Sequence, residues 1–285
     1  MRKLLIIVAA FGLLLSACAQ KAAETPSSPA SPAATAADCA KTAPLKTPGQ
    51  LTVGTDNPSF PPWIINNDPT NGKGFEGALA YQVAQRMGFT PDQVKWVVVP
   101  FNNSYAPGPK DFDFDINNIE VTPEREQAVD FSDGYYDLPQ ALLVMKGSPI
   151  EHATTLAELK DSTFGAQTGT TSLTFINTVI QPTQQATVYD TTSDAKVELK
   201  NGNVDGLILD LPTAYFEATD SKYGTKGSAL VGKFASTGHL GMLFEQGNTL
   251  VACVNKALDE MKADGTLKAL QDKWLANYLG VPVIQ

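Results

Sequence analysis

The sequence predicts an α/β fold of two lobes followed by C-terminal helices. In the first half of the chain, strand-like runs at residues 51–55 and 94–99 flank a helical pattern over residues 77–87. The second half repeats this alternation around a buried strand at residues 204–209, and a long amphipathic pattern then covers residues 248–279. Strands that alternate with helices are typical of parallel-rich sheets. Two such units in one chain therefore predict two lobes.

The elements of the first half follow from local patterns. The strand at 51–55 ends in an Asp-Asn-Pro turn, and the helix at 77–87 stops at Gly88. Residues 111–116 alternate Asp with Phe or Ile, which predicts a strand, because the Gly and Glu that a calcium loop needs are missing. Thr122 and Pro123 predict a helix start, since Thr caps helices and Pro suits the first helical position.

The second half is predicted in the same way. Residues 163–166 read as a short strand, and residues 168–172 form a Gly-containing turn that enters a helix near Leu173. Residues 195–200 are helical in spacing. The strand at 204–209 is followed by Asp-Leu-Pro and a helix that passes Phe216.

The first 48 residues predict export and a lipid anchor. A basic start precedes an apolar run of 12 residues, which suits a signal peptide and is too short to span a membrane. Residues 15–18, Leu-Ser-Ala-Cys, resemble the lipobox of bacterial lipoproteins, so residues 1–17 are predicted to be cleaved and Cys18 lipidated; a plain secretory signal is the alternative. Residues 18–48 read as an Ala/Pro/Ser-rich linker. The predicted location is extracytoplasmic, with the chain anchored to the membrane by lipid.

Cys39 and Cys253 are the other two cysteines of the chain. In an oxidising compartment a disulfide between them is the economical interpretation. It would close a very long loop, for which the chain-entropy relation gives about 5 kcal/mol. Sequence alone does not show whether the two sulfur atoms meet.

Composition excludes several partners. The formal net charge is -9, and 43% of the residues are hydrophobic against 18% charged. An acidic chain without a Lys/Arg cluster argues against nucleic acid as a partner and against electrostatic binding to anionic lipid.

Arg125 is the first candidate binding residue. It lies in the first turn of the helix that Thr122 caps, where a cation is unfavourable unless an anion is near. Its planar guanidinium matches a carboxylate. The structural alternative is an ion pair with Glu120 or Asp133.

The turn at 168–172 and Asp210 are the next candidates. A Gly-containing turn before a helix presents free backbone N–H groups and Thr/Ser hydroxyls to an anion, although an ordinary capped helix start would look the same. Asp210 follows a buried strand, and ligands of open α/β sheets bind at the carboxyl ends of strands. A helix cap is the alternative for Asp210.

Aromatic residues after strands are further candidates. Phe60 and Trp63 flank two prolines in a rigid loop, and Phe101 follows the strand at 94–99. Core packing is the default for such rings, but a rigid loop can present a ring to a cleft. No metal-ligand spacing involves the two histidines, and no nucleophile elbow is present, so neither a catalytic residue nor a metal or cofactor is expected.

Several stretches together resemble the extracellular solute-binding proteins that serve ATP-binding-cassette (ABC) importers of polar amino acids. The similarity spans roughly residues 49–280, and its most specific parts are the Thr-Pro-Glu-Arg helix start at 122–125 and the Asp-Phe-Ser block at 130–136. The other matching stretches are residues 51–56, 74–76, 113–116, 169–172 and 264–267, with Trp274.

The resemblance implies a periplasmic-binding-protein-like fold whose two lobes are joined by two hinge crossings, with ligand held in the cleft. Residues 49–135 and 238–285 would form lobe 1, and residues 139–233 would form lobe 2. The protein would be a monomer that is not an enzyme. It would bind a small zwitterionic ligand, an amino acid, and deliver it to the membrane permease of an ABC importer.

The resemblance also implies a role for each end of the ligand. Arg125 would clamp the α-carboxylate, helped by the backbone and hydroxyls of Thr170 and Thr171. Asp210 would accept the α-ammonium group, and Asn118 would offer its main-chain carbonyl.

The ligand side chain would lie between aromatic rings. By the same resemblance Phe60 and Phe101 flank it and Asp56 reaches its tip, while Trp63 stands at the end of the same loop as Phe60.

Glu120 departs from the family pattern, which has Ser or Thr at that position. A carboxylate there would repel the ligand carboxylate unless it is protonated, pairs with Arg125, or accepts a cationic ligand. Gln167 stands where some relatives have Lys, which removes a positive charge. With Asp56, both residues weakly favour a cationic or polar ligand.

Two other functions compete with transport. Relatives of the family include a dehydratase of cyclohexadienyl acids, for which a buried Glu120 would serve as general acid. A sensor module that presents bound ligand to a receptor is the third possibility, and it would need a partner protein for its output.

Overall fold

The computed structural model describes residues 35–275 and 278–285, without the side chains of residues 236, 237 and 279. The predicted signal peptide at 1–17, the lipid site Cys18 and the linker residues up to 34 lie outside the described residues.

The first half of the described chain alternates helices and strands. In chain order these are α1 (Ala36–Ala40), β1 (Leu51–Thr55), α2 (Phe75–Arg86), β2 (Val94–Val98), α3 (Phe101–Ser104), β3 (Phe114–Asp115), α4 (Pro123–Glu126) and β4 (Val129–Phe131).

The second half continues the alternation and ends in two helices. In chain order its elements are β5 (Tyr136–Met145), β6 (Phe164–Gln167), α5 (Thr171–Phe175), β7 (Thr187–Tyr189), α6 (Thr192–Asn201), β8 (Gly206–Asp210), α7 (Leu211–Thr219), β9 (Ser228–Leu240), β10 (Leu243–Glu245), α8 (Leu250–Ala263) and α9 (Thr266–Trp274).

The strands form two five-stranded sheets. The first has the order β2-β1-β3-β10-β4 and the second the order β7-β6-β8-β5-β9. Strands β1, β2 and β3 are parallel, as are β6, β7 and β8, whereas β10 and β5 run antiparallel to their neighbours. The predicted two-lobe α/β fold is confirmed.

Two adjacent antiparallel strands carry the chain between the lobes. Tyr136 of β5 pairs with Leu240 of β9, and Leu138 pairs with Gly238. Strand β5 takes the chain into the second sheet, and β9 returns it to the first sheet at β10. These are the two predicted hinge crossings.

Each sheet is covered on both faces by its own hydrophobic core. In β5, Leu142 packs into one cluster of the second lobe, whereas its neighbours Ala141 and Leu143 pack into another. The first lobe has a large cluster around α2, α8 and α9 and a smaller one on the opposite face of its sheet. Alternate residues of a buried strand point to opposite faces, which explains the continuous apolar runs that predicted these strands.

The ordered fold begins earlier than the sequence predicted. Helix α1 lies within the predicted linker 18–48, but Ala36 and Ala40 are buried against the core of the first lobe. Cys39 of this helix is bonded to Cys253 of α8, with Cα atoms 5.3 Å apart. The predicted disulfide is therefore confirmed, and it explains why an Ala-rich segment without apolar periodicity is ordered.

The C-terminal tail also departs from the prediction, which placed residues 238–285 in lobe 1. Val283 forms a bridge with Lys233 of β9, and the main chain of Gln285 exchanges hydrogen bonds with the segment 154–156 at 2.7 and 2.9 Å. Ile284 is buried in a core cluster of the second lobe. The last residues thus return to lobe 2, a contact that a short apolar tail does not signal.

The predicted strand at 111–116 shortens to the two residues of β3. Asp113 explains the shortening, since its carboxylate accepts hydrogen bonds from the backbone N–H groups of Lys46 and Thr52, both at 2.7 Å. Within the described ranges, no helix combines the length and apolar character needed to cross a membrane.

Candidate functional site

A cavity of about 110 Å³ lies where loops of the two lobes face each other. The loops that line it follow the carboxyl ends of β1, β2 and β3 in the first sheet and of β6 and β8 in the second. Ligands of open α/β sheets bind at this end of the strands. The cavity is therefore the candidate binding site.

The structure brings all but one of the predicted binding residues together at this cavity. The exception is Glu120. Those that line the cavity are Asp56, Phe60, Trp63, Phe101, Asn118, Arg125, Gln167, Thr170, Thr171 and Asp210.

Arg125 is buried in the first lobe with its charge uncompensated by a carboxylate. Its Nη1 donates to the main-chain oxygen of Glu120 at 2.6 Å and its Nη2 to that of Gly169 at 3.0 Å. Within the described residues, no carboxylate oxygen lies within 4.0 Å of the guanidinium, so the ion pair with Glu120 or Asp133 is not formed. Burial lowers the pKa of Arg125, as expected for a cation that lacks a paired anion.

Tyr105 forms one wall around this guanidinium. Its ring centroid is 4.6 Å from Arg125 Cζ, and that of Phe101 is 5.5 Å away. These distances are those of cation–π contacts, which hold the guanidinium without neutralising it. Arg125 is thus positioned and left able to pair with an anion.

Asp210 ends β8 in the second lobe, and its side chain makes no capping hydrogen bond to α7. The cap interpretation is therefore wrong. One carboxyl oxygen accepts a hydrogen bond from Gln140 Nε2 at 2.9 Å, and Gln140 Oε1 in turn accepts one from Ser172 Oγ at 2.6 Å. Burial raises the pKa of Asp210 to about 6.

The turn before α5 is a capped helix start, one of the two interpretations made from the sequence. Thr170 caps the helix by accepting from Leu173 N at 3.1 Å, and its hydroxyl donates to the main-chain oxygen of Gln167 at 2.8 Å. The helix begins at Thr171, two residues earlier than predicted. Gly169 has φ +72°, and a Cβ there would lie 2.2 Å from the hydroxyl oxygen of Tyr105, so only glycine allows this approach between the lobes.

Aromatic residues of the loop after β1 reach across to the second lobe. Trp63 Nε1 donates to Thr213 Oγ1 of α7 at 2.9 Å. The ring of Phe60 lies under Lys196 of α6, with 4.5 Å between Nζ and the ring centroid. These contacts join the two lobes beside the cavity.

Glu120 lies at the hinge rather than in the cavity wall. It forms an antiparallel bridge with Leu240 at the end of β9, and a Cβ on Gly238 of the same strand would lie 1.9 Å from its Oε1. Its Oε2 is buried without a partner among the described atoms. Burial raises the pKa of Glu120, and a hydrogen bond from Thr171 opposes that shift. Glu120 is not among the described residues that line the cavity, where the general acid of the dehydratase hypothesis would have to lie.

Three residues at this site were not singled out from the sequence: Glu76, Tyr105 and Gln140. Glu76 lines the cavity with 1% of its surface exposed. Gln140 is equally buried within β5. The signal for both was a polar side chain within an apolar run, because such groups are buried only with partners. Tyr105 carried no comparable signal.

The cavity is acidic. Asp56, Glu76 and Asp210 line it, and Arg125 is the cation among the described lining residues. Burial raises the pKa of Asp56, and it raises the pKa of Glu76 to about 7. In the part of the chain that the structure describes, no group of three or more acidic, His or Cys side chains could hold a metal ion.

Comparison with known proteins identifies the family. The family described as bacterial extracellular solute-binding proteins, family 3, matches residues 51–277. This protein belongs to that family. The resemblance inferred from its sequence motifs is confirmed.

Curated relatives and solved structures agree with the family assignment. The chain is 34% identical over 159 residues to a putative ABC transporter arginine-binding protein 2 of Escherichia coli K12, covering 55% of this chain and 63% of that relative. It is 29% identical over 236 residues to the L-cystine-binding protein TcyJ of the same strain, covering 81% and 84%.

An ancestral arginine-binding protein solved with arginine shares the fold. It has a TM-score of 0.66 and 31% identity, over 80% of this chain and 99% of that one. These relatives are binding proteins rather than enzymes.

Proposed function

We propose that this family 3 protein binds a free α-amino acid with a polar or cationic side chain between its lobes and delivers it to the permease of an ABC importer. Arg125 holds the α-carboxylate together with the backbone and hydroxyl of Thr171, and Asp210 accepts the α-ammonium. Phe60 and Phe101 flank the side chain, and Asp56 reaches its tip.

One observation carries this proposal: a guanidinium and a carboxylate from opposite lobes line the same small cavity. Arg125 comes from α4 beside the first sheet, and Asp210 comes from the end of β8 in the second. A zwitterion offers one charge to each. Because the two partners lie on different lobes, a molecule that binds both favours the closed state over the open one.

The charge of the cavity supports a polar or cationic side chain. Asp210 accounts for the ligand ammonium and Arg125 for its carboxylate, which leaves Asp56 as an additional acidic group near the expected tip of the side chain. An acidic side chain would be repelled there, whereas a cationic one would be attracted. The arginine-binding relatives point in the same direction.

Membrane attachment belongs to the same proposal. The family is extracellular, and the Leu-Ser-Ala-Cys pattern that ends at Cys18 supports anchoring through lipid on that residue. A monomer anchored through Cys18 would meet its permease at the membrane surface.

Thermal shift with the twenty amino acids and common polyamines tests the binding proposal. A ligand about 100-fold above its Kd raises the melting temperature of a domain of this size by about 5–10 °C. We expect such a shift with an amino acid and a much smaller one with polyamines, which lack the α-carboxylate.

Variants of Arg125 and Asp210 test whether binding depends on these two charges. Arg125→Ala and the isosteric Asp210→Asn should remove most of the shift, whereas Glu124→Gln, exposed on the same short helix as Arg125, should leave it unchanged. A full shift in Arg125→Ala would refute the carboxylate clamp, and no shift with any amino acid would refute the proposed function.

A further inference from the structure

Glu76 is a buried carboxyl group for which the proposed ligand contacts have no use. It lies in the first turn of α2 and faces the cavity. Its Oε1 accepts hydrogen bonds from Tyr135 Oη at 2.6 Å and from the backbone N–H of Asn118 at 2.8 Å. Asn118 has φ +51°, a conformation that side-chain-bearing residues adopt rarely, so Glu76 helps hold the residue whose main-chain carbonyl is expected to contact the ligand ammonium.

The side-chain amide of Asn118 connects Glu76 to Asp210 on the opposite lobe. One terminal atom of the amide lies 3.1 Å from Glu76 Oε2. The other lies 3.3 Å from Asp210 Oδ2. The favoured orientation places the nitrogen toward Glu76, because the oxygen then accepts from Trp63 Nε1 at 2.7 Å.

Either orientation of this amide leaves its oxygen beside a carboxyl oxygen. In the favoured orientation that neighbour is Asp210, and in the other it is Glu76. Two acceptor oxygens at this distance attract only if the carboxyl group carries a proton and donates it. The closed, buried arrangement therefore has a place for one proton on the Glu76–Asp210 pair.

The surrounding charges agree with this proton. Burial is the largest cause of the raised pKa values of Glu76, to about 7, and of Asp210, to about 6. Asp210 raises the pKa of Glu76, while Glu120 raises and Arg125 lowers the pKa of Asp210. Asp115, a further buried carboxyl near Glu76, has its own pKa raised well above the usual value by burial and by Glu76. Buried carboxyl groups that interact in this way titrate as a unit.

We propose that Glu76 is a second acidic residue of the ammonium subsite, and that it shares one proton with Asp210 through the Asn118 amide until a ligand ammonium displaces that proton. This inference rests on the proposed amino-acid binding. When the lobes close on the ligand, its ammonium N–H groups donate to the carboxylates in place of the shared proton. That proton passes to the solvent.

Because binding releases a proton, affinity for the ligand should rise with pH until the pair is ionised. Below the pKa values of the pair, protons compete with the ligand ammonium, so affinity should fall by up to about tenfold for each unit of pH. Above about pH 8 the pair is ionised without ligand, and affinity should no longer rise.

Titration calorimetry measures the released protons directly. L-Arginine, or the amino acid with the largest thermal shift if L-arginine gives none, is titrated at pH 5.5 to 8 in buffers of different ionisation enthalpy. We expect close to one proton released near pH 6 and almost none at pH 8.

Two substitutions around the pair should act in opposite ways. Glu76→Gln keeps an acceptor for Tyr135 Oη and Asn118 N. With the Asn118 amide turned to its other orientation, the Gln N–H donates to the amide oxygen and the amide nitrogen donates to ionised Asp210, so proton release at pH 6–7 should largely disappear and the affinity profile flatten. Tyr135→Phe removes a hydrogen bond that lowers the pKa of Glu76, so the affinity profile should move to higher pH. Asp272→Asn, an exposed carboxylate paired with Lys268, should change neither.

The outcomes separate this inference from the proposed function. Amino-acid binding without proton release between pH 5.5 and 8, or with the same release in Glu76→Gln, would overturn the shared proton and leave amino-acid binding intact. Failure of every amino acid to bind at any pH would overturn both.

Discussion

Asp210 is oriented by a relay of side chains that reaches back to the turn before α5. Ser172 donates to Gln140, and Gln140 donates to the Asp210 carboxylate. Gln140 is buried in β5, so its amide has no water to replace either partner. The groups proposed to hold the two ends of the ligand are therefore linked within the second lobe.

Replacing Gln140 with methionine tests this relay. Gln140→Met keeps the length of the side chain and removes both hydrogen bonds, which leaves buried polar groups unsatisfied. We expect the free energy of unfolding to fall by about 1–3 kcal/mol and the affinity for the bound amino acid to fall about tenfold. Urea denaturation and calorimetry measure the two quantities; unchanged affinity in a folded variant would show that the relay does not orient Asp210.

The binding role of a single residue could be proposed from the sequence where its type and its position in an element left few alternatives. Arg125 in the first turn of a helix and Asp210 at a strand end could be proposed from the sequence alone. The position of Glu120 could not, because its packing against Gly238 depends on a strand over 100 residues later in the chain. Nor could the Asn118 amide, whose partners come from α2 and β8.

Among the elements, the loop after β1 and helix α7 make the clearest contact between the lobes. Trp63 donates to Thr213 across the cleft, and Phe60 packs on Lys196 of α6. Lys196 is itself held by an ion pair with buried Glu217 at 2.8 Å. These contacts exist only when the lobes are closed, so they favour retention of ligand.

A substitution in α7 tests this role of the loop. Thr213→Val keeps the side-chain shape and removes the acceptor on the second lobe for the Trp63 N–H, which it shares with the Asn118 oxygen. Loss of this cross-lobe branch should raise the dissociation rate about 2- to 10-fold. The association rate should change little. Thr219→Val is the matched control, because Thr219 is on the same helix but bonds only to Tyr215 O. Equal dissociation rates for the two variants in stopped-flow measurements would contradict the closing role.

Elements with strong periodicity were predictable, and short ones were not. The strand at 51–55 and the helix at 77–87 follow from apolar spacing and a glycine stop, and both are present within two residues of their predicted bounds. Strand β3 keeps only two residues because Asp113 bonds to the backbone of a neighbouring segment. Helix α1 is ordered by a disulfide and by burial against α8, neither of which has a local pattern.

At the scale of the whole molecule, two sheets joined at adjacent strands place the ends of parallel strands opposite each other. Repeated α/β patterning predicted the two sheets, and the family motifs predicted the crossings. The return of the tail to lobe 2 was not predictable, since Val283 and Ile284 pair with β9 through main-chain contacts that any sequence can make.

The central claim is that Arg125 and Asp210 hold opposite ends of one amino acid. Calorimetry with the tightest-binding amino acid and its decarboxylated amine, on the wild type and Arg125→Ala, tests it most directly. The wild type should bind the amine about 100-fold or more weakly, as expected when one partner of a buried charge pair is removed. Arg125→Ala should bind both compounds weakly and about equally. Equal binding of both compounds by the wild type, or undiminished discrimination in Arg125→Ala, would contradict the account.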